Sequence, residues 1–323
     1  MVAACKTDGK IFVIVYTLFL FIQNMDVSII IVNYNTSHLV LDCVKSIKEK
    51  TESVSYEIIV VDNNSPHDEG LSLLSENEDI IFVKADENLG FGRANNLGVM
   101  KAHGEFLFFL NPDTLLMNNA IFKMVQFLRK ESNVGACGGN LYDVDGKPTH
   151  SFSKLFPSIT KELDFAFNRS ISKILFGKSY EFNYSLSPMK VAFVTGADLI
   201  VPQKVWKEVG PFSDDFFMYY EETELEFRIK KTGYHIYSVP EARIVHLEGK
   251  SFDLNVEREK RILRGRFVYF YKVYGPVYNA VANALNIIMY SFGWRLCFLL
   301  RKLEKSEKYR VRKDLYIREM KRW

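Results

Sequence analysis

Cysteine is scarce in this 323-residue chain, which has four, at Cys5, Cys43, Cys137 and Cys297, and no Cys-x-x-Cys pair. That spacing excludes a thiolate zinc cluster and a disulfide framework, and it suits a reducing cytosol. An internal repeat, a low-complexity segment and an apolar run of membrane-spanning length are also missing. The nearest to the last is "IFVIVYTLFLFI", Ile11 to Ile22, whose 12 residues fall short of the ~20 that a span requires. No small-residue cleavage site follows it. It reads either as a signal-like anchor or as sequence upstream of a working start at Met25. The strand "DVSIIIVNYN" follows Met25 at once, with no stem between.

What remains is ordinary globular composition, 48% hydrophobic and 25% charged, with room for a sizeable core. Net charge is only +3, but it is unevenly placed. Arg295 to Trp323 carries 11 Lys+Arg against 4 Asp+Glu, a net of +7, which leaves −4 for the rest (+3 minus +7). Just before this tail lies "VYNAVANALNIIMYSFGWRLCFLL", apolar, with Tyr290, Phe292 and Trp294 close to the charges. A helix there followed by basic residues reads as an interfacial anchor on anionic lipid. The plainer alternative is a helix packed on the core with a solvated basic end. Nucleic-acid binding is not expected.

From Met25 to about Leu128 strands and helices alternate: "VSIIIVNYN", then "SHLVLDCVKSIKEK" with a cap at Thr36 or Ser37, then "YEIIVVDNNS". "IIFVKADE", "FGRANNLGVMKAHG", "FLFFLNPD" and a helix from Ala120 to Lys130 complete the series. Such alternation implies a mainly parallel sheet covered on both faces. Ligands of these sheets bind beyond the carboxyl ends of the strands, where Asn35, Asp62 and Asp113 fall. In "FLFFLNPDT" the Asn-Pro pair stops a doubly buried strand, because proline lacks the ladder donor, and delivers Asp113 at its tip. Alone, the same residues also describe a β-turn. Residues 150–190, aromatic and basic with weak periodicity, read as an acceptor-facing loop region.

"VSIIIVNYN", "EIIVVDNNS", "NLGFGRANNLG", "FFLNPDT", "VTGADLIV", "FFMYYEETELEFRIKKTGY" and "VHLEGKS" follow one another in an order that resembles inverting family 2 glycosyltransferases, bacterial rhamnosyltransferases and their galactofuranosyl relatives most of all. The resemblance covers Met25 to Arg266. It implies a GT-A-type nucleotide-diphospho-sugar transferase fold, an α/β fold with a mainly parallel central sheet, followed here by a C-terminal helical basic tail. The division it suggests is 1–24 leader, 25–130 nucleotide-sugar half, 131–256 acceptor-binding and catalytic half, and 257–323 helical tail.

The resemblance also implies roles. Asp62 would accept the N3–H of uracil or thymine, with an Asx turn as the competing role. Arg93 and Asn96 would line the nucleotide site, beside Asn35. Asp113 would bind the divalent metal, Mg²⁺ or Mn²⁺, that accompanies the donor diphosphate. The family's Asp-x-Asp is reduced here by Asn111, so the ion needs another ligand, and His246 fills that position. Gly196 and Asp198 would lie near the donor sugar. The family's Glu-Asp-x-Asp becomes Glu221-Glu222-Thr223-Glu224, which puts Glu222 at the general-base position, with Glu221 the alternative.

The expected activity is inverting transfer of a sugar, rhamnose favoured, from a dTDP- or UDP-linked donor to a hydroxyl of a cell-surface or lipid-linked glycan. The expected location is cytoplasmic, peripheral at the inner face of the cell membrane. A galactofuranosyl or other hexosyl transferase is the nearest alternative, and an inactive nucleotide-binding homologue another. A sugar-phosphate nucleotidyltransferase would want a Gly-rich basic loop near the N-terminus, which "VSIIIVNYNTS" lacks. The oligomeric state is not legible in the sequence. Removal of residues after about Val273 is expected to release the protein from membranes, with activity on a soluble acceptor mimic kept if the nucleotide fold is independent of the tail.

Overall fold

A computed structural model describes residues 25–166, 169–247 and 256–320. The question of the leader, residues 1–24, lies outside these, as does most of the "LEGKS" segment. Strand β1 (Val27–Asn33) pairs in parallel with β2 (Tyr56–Asp62), and β2 with β3 (Ile80–Lys84). Between them run helices α1 (Ser37–Lys50) and α2 (Leu71–Ser75), and α3 (Phe91–Val99) leads on to β4 (Phe106–Leu110), parallel to β1 on its other side. A short β5 (Thr114–Leu116), α4 (Ala120–Lys130) and a long β6 (Val134–Tyr142) follow.

β1 carries apolar residues on both sides because it is covered on both. Val27, Ile29 and Ile31 meet Val40, Val44 and Ile47 of α1, with α4 adding to the same cluster. Ile30 and Val32 face the opposite cluster with Ala94 of α3. This is the continuous apolar pattern of a parallel strand, rather than the alternation of a half-solvated one.

Beyond β6 come β7 (Phe152–Ser153) and two short helices, α5 (Ile159–Ala166) and α6 (Ser170–Phe176), where the sequence suggested only loops. Strands β8 (Met189–Val191) and β9 (Phe193–Val194) precede β10 (Asp198–Pro202), so the expected Gly-Ala interruption falls between β9 and β10. β10 enters antiparallel between β4 and β6. Helices α7 (Gln203–Val209) and α8 (Glu221–Lys231) pack on the second face through Val205, Trp206, Leu225 and Ile229.

β11 (His235–His246) runs parallel to β6 through a bulge between Ser238 and Arg243, and its end pairs antiparallel with β5. The sheet order is therefore β3-β2-β1-β4-β10-β6-β11-β5, with β8 also on β11. One sheet thus runs through both expected halves. Its first four strands are parallel, and the later ones are mixed.

Among the described residues three helices follow: α9 (Val256–Tyr274), α10 (Pro276–Leu299) and α11 (Leu303–Met320). Phe216 joins Tyr269, Phe270 and Ala282 in one cluster, and Leu263 and Phe267 join Leu315 and Tyr316 in another. The tail is therefore packed onto the body.

Candidate active site

The strand order turns at β1, whose neighbours β2 and β4 lead away on opposite sides. The crevice beyond such a switch point is where nucleotides bind in open α/β sheets. Asn33 and Asp62 stand side by side there, as register partners at the ends of β1 and β2. Both are fully buried. The Asn33 Nδ2 donates to Asp62 Oδ1 at 3.2 Å and to Asp68 Oδ2 at 2.9 Å. Its Oδ1 accepts from the Thr36 amide and hydroxyl, so Thr36 opens α1 without capping it through its own side chain.

The Ser65 amide reaches the two Asp62 oxygens at 3.3 and 3.4 Å. Asp62 thus makes a local contact three residues on, through bonds that are long for N–H···O, rather than the two-residue bond of an Asx turn. Asn35 is exposed in the left-handed region (φ 56°) and accepts from the His67 amide at 3.1 Å. Sequence reasoning passed over Asn33. It is the first polar residue after the apolar run of β1, a place matching that of Asp62 on β2, and that signal was available.

The glycine-rich stretch serves packing. A Cβ on Gly90 would lie 1.9 Å from the Phe217 carbonyl oxygen, and one on Gly98 would lie 2.6 Å from Ile30 Cγ2. Arg93 is tied through Nε to the Leu89 carbonyl at 2.8 Å. Asn96 clamps the Phe212 backbone in both directions, donating to its carbonyl at 2.8 Å and accepting from its amide at 3.0 Å.

At the end of β4, the Asn111 amide donates to the Ala197 carbonyl at 2.9 Å, and its own carbonyl accepts the Thr114 hydroxyl at 2.7 Å. The chain turns through Pro112 and Asp113 into β5. Pairing of His246 with Thr114 across β5 and β11 then brings the histidine onto Asp113. His246 Nε2 lies 3.3 Å from Asp113 Oδ1, and Asn111 Nδ2 lies 3.4 Å from the same nitrogen. Sequence reasoning proposed this pair, and the strand pairing brings the two side chains together.

The pair suits a hard divalent cation. Two neighbouring ligands on an octahedral ion at ~2.1 Å stand about 3.0 Å apart, close to the observed oxygen–nitrogen separation. The Asp113 and His246 side chains are 26% and 11% exposed. Among the described residues no group of three or more His, Cys, Asp or Glu is gathered for a metal. The other positions would fall to diphosphate and water oxygens.

The acidic run opens α8. Tyr219 and Tyr220, which precede it, both have left-handed φ, 73° and 74°. That conformation is uncommon for bulky residues and is held only by surrounding structure. Gly265 of α9 provides part of the support, since a Cβ there would lie 2.3 Å from the Tyr219 carbonyl oxygen. Tyr269 packs on Tyr220 with ring centroids 5.7 Å apart.

Glu221 and Glu222 leave this turn in different directions. Glu221 is buried against Gly92. Burial first, and then the charge of Glu222, push its carboxyl up to about 8. Glu222 is half-buried, accepts the Thr223 hydroxyl at 3.1 Å, and is also raised by burial. It backs onto Gly196, where a Cβ would lie 3.3 Å from Glu222 Cγ. Since Ala197 carries the bond from Asn111, one short segment links Glu222 to the Asp113 turn.

Asp198 does not face the crevice. It is wholly buried within the sheet, with Oδ2 accepting the Gly139 amide at 2.6 Å, and burial holds its carboxyl well above the usual range. Glu226 is buried in the same way, accepting the Val194 amide at 2.8 Å. Sequence reasoning gave Glu226 no role. Its position one helical turn after Glu222, on the same face, is the signal that points inward.

Residues 107–302 match glycosyl transferase family group 2, and residues 28–183 match glycosyl transferase family 2. This chain belongs to glycosyl transferase family group 2. The low-salt glycan biosynthesis hexosyltransferase Agl10 of Haloferax volcanii is 26% identical over 215 residues, 65% of this chain and 64% of that protein. The O-antigen biosynthesis protein RfbC of Myxococcus xanthus is 26% identical over 227 residues, 70% of this chain but 17% of that one. The chain thus covers less than two thirds of either relative. Among solved structures, GalNAc-T7 with UDP, GalNAc and Mn²⁺ superposes with a TM-score of 0.56 at 17% identity, over 90% of this chain and 54% of that one. The mannosyltransferase PcManGT of Pyrobaculum calidifontis, in complex with GDP-Man and Mn²⁺, gives 0.53 at 15%, over 90% and 86%. These two likenesses establish the GT-A-like fold of this chain.

Proposed function

We propose that this glycosyltransferase moves a hexosyl group, rhamnose favoured, from a dTDP- or UDP-linked donor to a hydroxyl of a cell-surface or lipid-linked glycan, with inversion. A galactofuranosyl donor is the nearest alternative. The enzyme works at the inner face of the cell membrane as a peripheral protein. The observation that carries this reading is the Asp113–His246 pair, tied through Asn111, Ala197 and Gly196 to a half-buried carboxylate.

In the reaction, Glu222 accepts the proton of the acceptor hydroxyl as its oxygen bonds to the anomeric carbon. The bond from that carbon to the diphosphate breaks, and the diphosphate leaves with the electron pair. Single displacement needs one catalytic carboxylate, unlike the paired carboxylates of retaining hydrolysis. Asp113 and His246 would hold Mg²⁺ or Mn²⁺, which when bound neutralises charge on the departing diphosphate. A histidine ligand tilts the preference toward Mn²⁺. Asp62, beside Asn33 at the strand ends, would read the nucleobase, and burial raises the carboxyl of Glu221.

A panel of dTDP-, UDP- and GDP-sugars tests the reading, with turnover followed with and without Mn²⁺ and the anomeric configuration of the product read by NMR. Stabilisation by dTDP over UDP supports the rhamnosyl donor. Binding without turnover of any donor would identify an inactive homologue.

A further inference from the structure

Helix α10 is inside out. Its buried side carries Asn279, Asn283 and Asn286. Asn283 accepts from Arg266 of α9, and Asn286 donates to Glu162 of α5 at 2.6 Å. Arg266 and Glu162 are themselves ion-paired, and Arg266 is almost fully buried. The polar side of the helix is thus committed to the protein interior.

The apolar side faces out. Val277, Val281, Ile288, Phe292, Leu296 and Leu299 are 42–77% exposed, at helical spacing. Over Val277 to Leu299 this stripe runs about 33 Å at 1.5 Å per residue. Soluble helices turn such a stripe toward the core, and contiguous exposed apolar surface marks an interaction site. The aromatic cluster expected from the sequence is divided. Phe292 is 66% exposed, whereas Tyr290 packs on Tyr309 and Tyr316, and Lys313 lies over the Trp294 ring at 4.5 Å.

Charge identifies what covers the stripe. Arg295 is exposed on the same helix, and Arg301, Lys302 and Lys305 are exposed where α10 passes into α11. The segment from Arg295 onward is +7. A second copy seated on this surface would bring like charge against like, whereas anionic headgroups complement it. Among the described residues no helix is long and apolar enough to cross a membrane.

We infer that the outward stripe of α10 is a docking surface for an anionic lipid bilayer, in which the helix lies in the interface plane with Arg295, Arg301 and Lys302 at headgroup level. This deepens, and rests on, the peripheral placement proposed above. It does not depend on which sugar is transferred.

Flotation of the full chain with phosphatidylcholine vesicles, with and without phosphatidylglycerol, tests it. Flotation with the anionic vesicles is expected. Ile288→Ser with Phe292→Ser should lower the bound fraction roughly tenfold or more, with thermal stability unchanged, while Leu186→Ser, at an exposed leucine outside the stripe, should not. Donor hydrolysis in solution should be equal in all three, which separates this surface from the transfer reading. Absence of flotation would overturn the inference, as would undiminished flotation of the double variant, which would place the contact elsewhere. A concentration-dependent dimer abolished by the double variant, without flotation, would assign the stripe to a second copy instead.

Discussion

His246 Nε2 sits 3.3 Å from Asp113 Oδ1 because β5 and β11 pair in antiparallel register at their ends. Asp113→Ala should abolish turnover and metal-dependent binding of nucleoside diphosphate, with an unchanged circular dichroism spectrum. His246→Ala should weaken the apparent metal affinity by at least the ~10–100-fold that loss of an outer-shell partner costs. Metal titrations of donor binding, read by calorimetry, check both. Curves that overlay those of the parent would return Asp113 to a turn residue and His246 to a structural one.

Glu222→Gln should leave donor binding intact and lower kcat by ~10²–10⁴-fold, the usual contribution of a general base. A loss confined to kcat is the mark of an interaction made in the transition state. Glu222→Asp shortens the arm by one methylene and should also slow the reaction, since misplacement is costly at the reacting centre. A damaging Glu221→Gln beside a near-parental Glu222→Gln would move the base by one residue.

The raised Glu221 carboxyl predicts a pH dependence of stability. Its folded value of about 8 exceeds the ordinary 4.5, so between these the native state holds a proton that the unfolded chain has released. Stability from this group is complete below ~pH 4.5 and is lost as pH rises toward 8. Glu221→Gln should flatten that slope in thermal melts from pH 5 to 8. An equally steep decline in the variant would assign the slope to another group.

Gly265→Ala should disturb catalysis from a distance. Its new Cβ meets the Tyr219 carbonyl at 2.3 Å, so either α9 or the turn must move. A lower melting temperature is expected, together with a kcat that falls more than donor affinity. Wild-type kcat would mean that the turn tolerates the shift.

Deletion beyond Val273 is expected to unfold or inactivate the protein, contrary to the expectation from sequence. It removes Asn283 and Asn286 from the buried Arg266–Glu162 pair and Glu319 from Arg264, which binds it at 2.8 Å. Stripping partners from buried charge costs several kcal/mol. Recovery of a folded, active fragment by calorimetry and assay would show the tail to be dispensable.

The first half of the fold was legible because its strands and helices differ in apolar period and each ends in a polar turn. α1 and α4 begin and end at the residues the pattern gave. The pairing of Asp113 with His246 came through resemblance, since strand pairing between distant segments leaves no local mark. The direction of the Asp198 side chain was not legible, for a physical reason. A polar residue opening an apolar strand looks the same in sequence whether it faces a crevice or the sheet interior, and here the Gly139 amide draws it inward. Asn279, Asn283 and Asn286 looked like interruptions of an apolar helix. They become its buried side only once Arg266 and Glu162 are placed.

The support that α9 gives the Tyr219–Tyr220 turn bears on how the enzyme is made. Chains emerge from the ribosome N-terminus first, and domains fold as they appear. The strands and α8 are complete by His246, but Gly265 and Tyr269, which hold the turn in its left-handed form, come afterwards. A nascent chain that has already built its sheet therefore lacks a fixed Glu222. The start of α8, with Glu221 and Glu222, is fixed only after the C-terminal helices have been synthesised and packed.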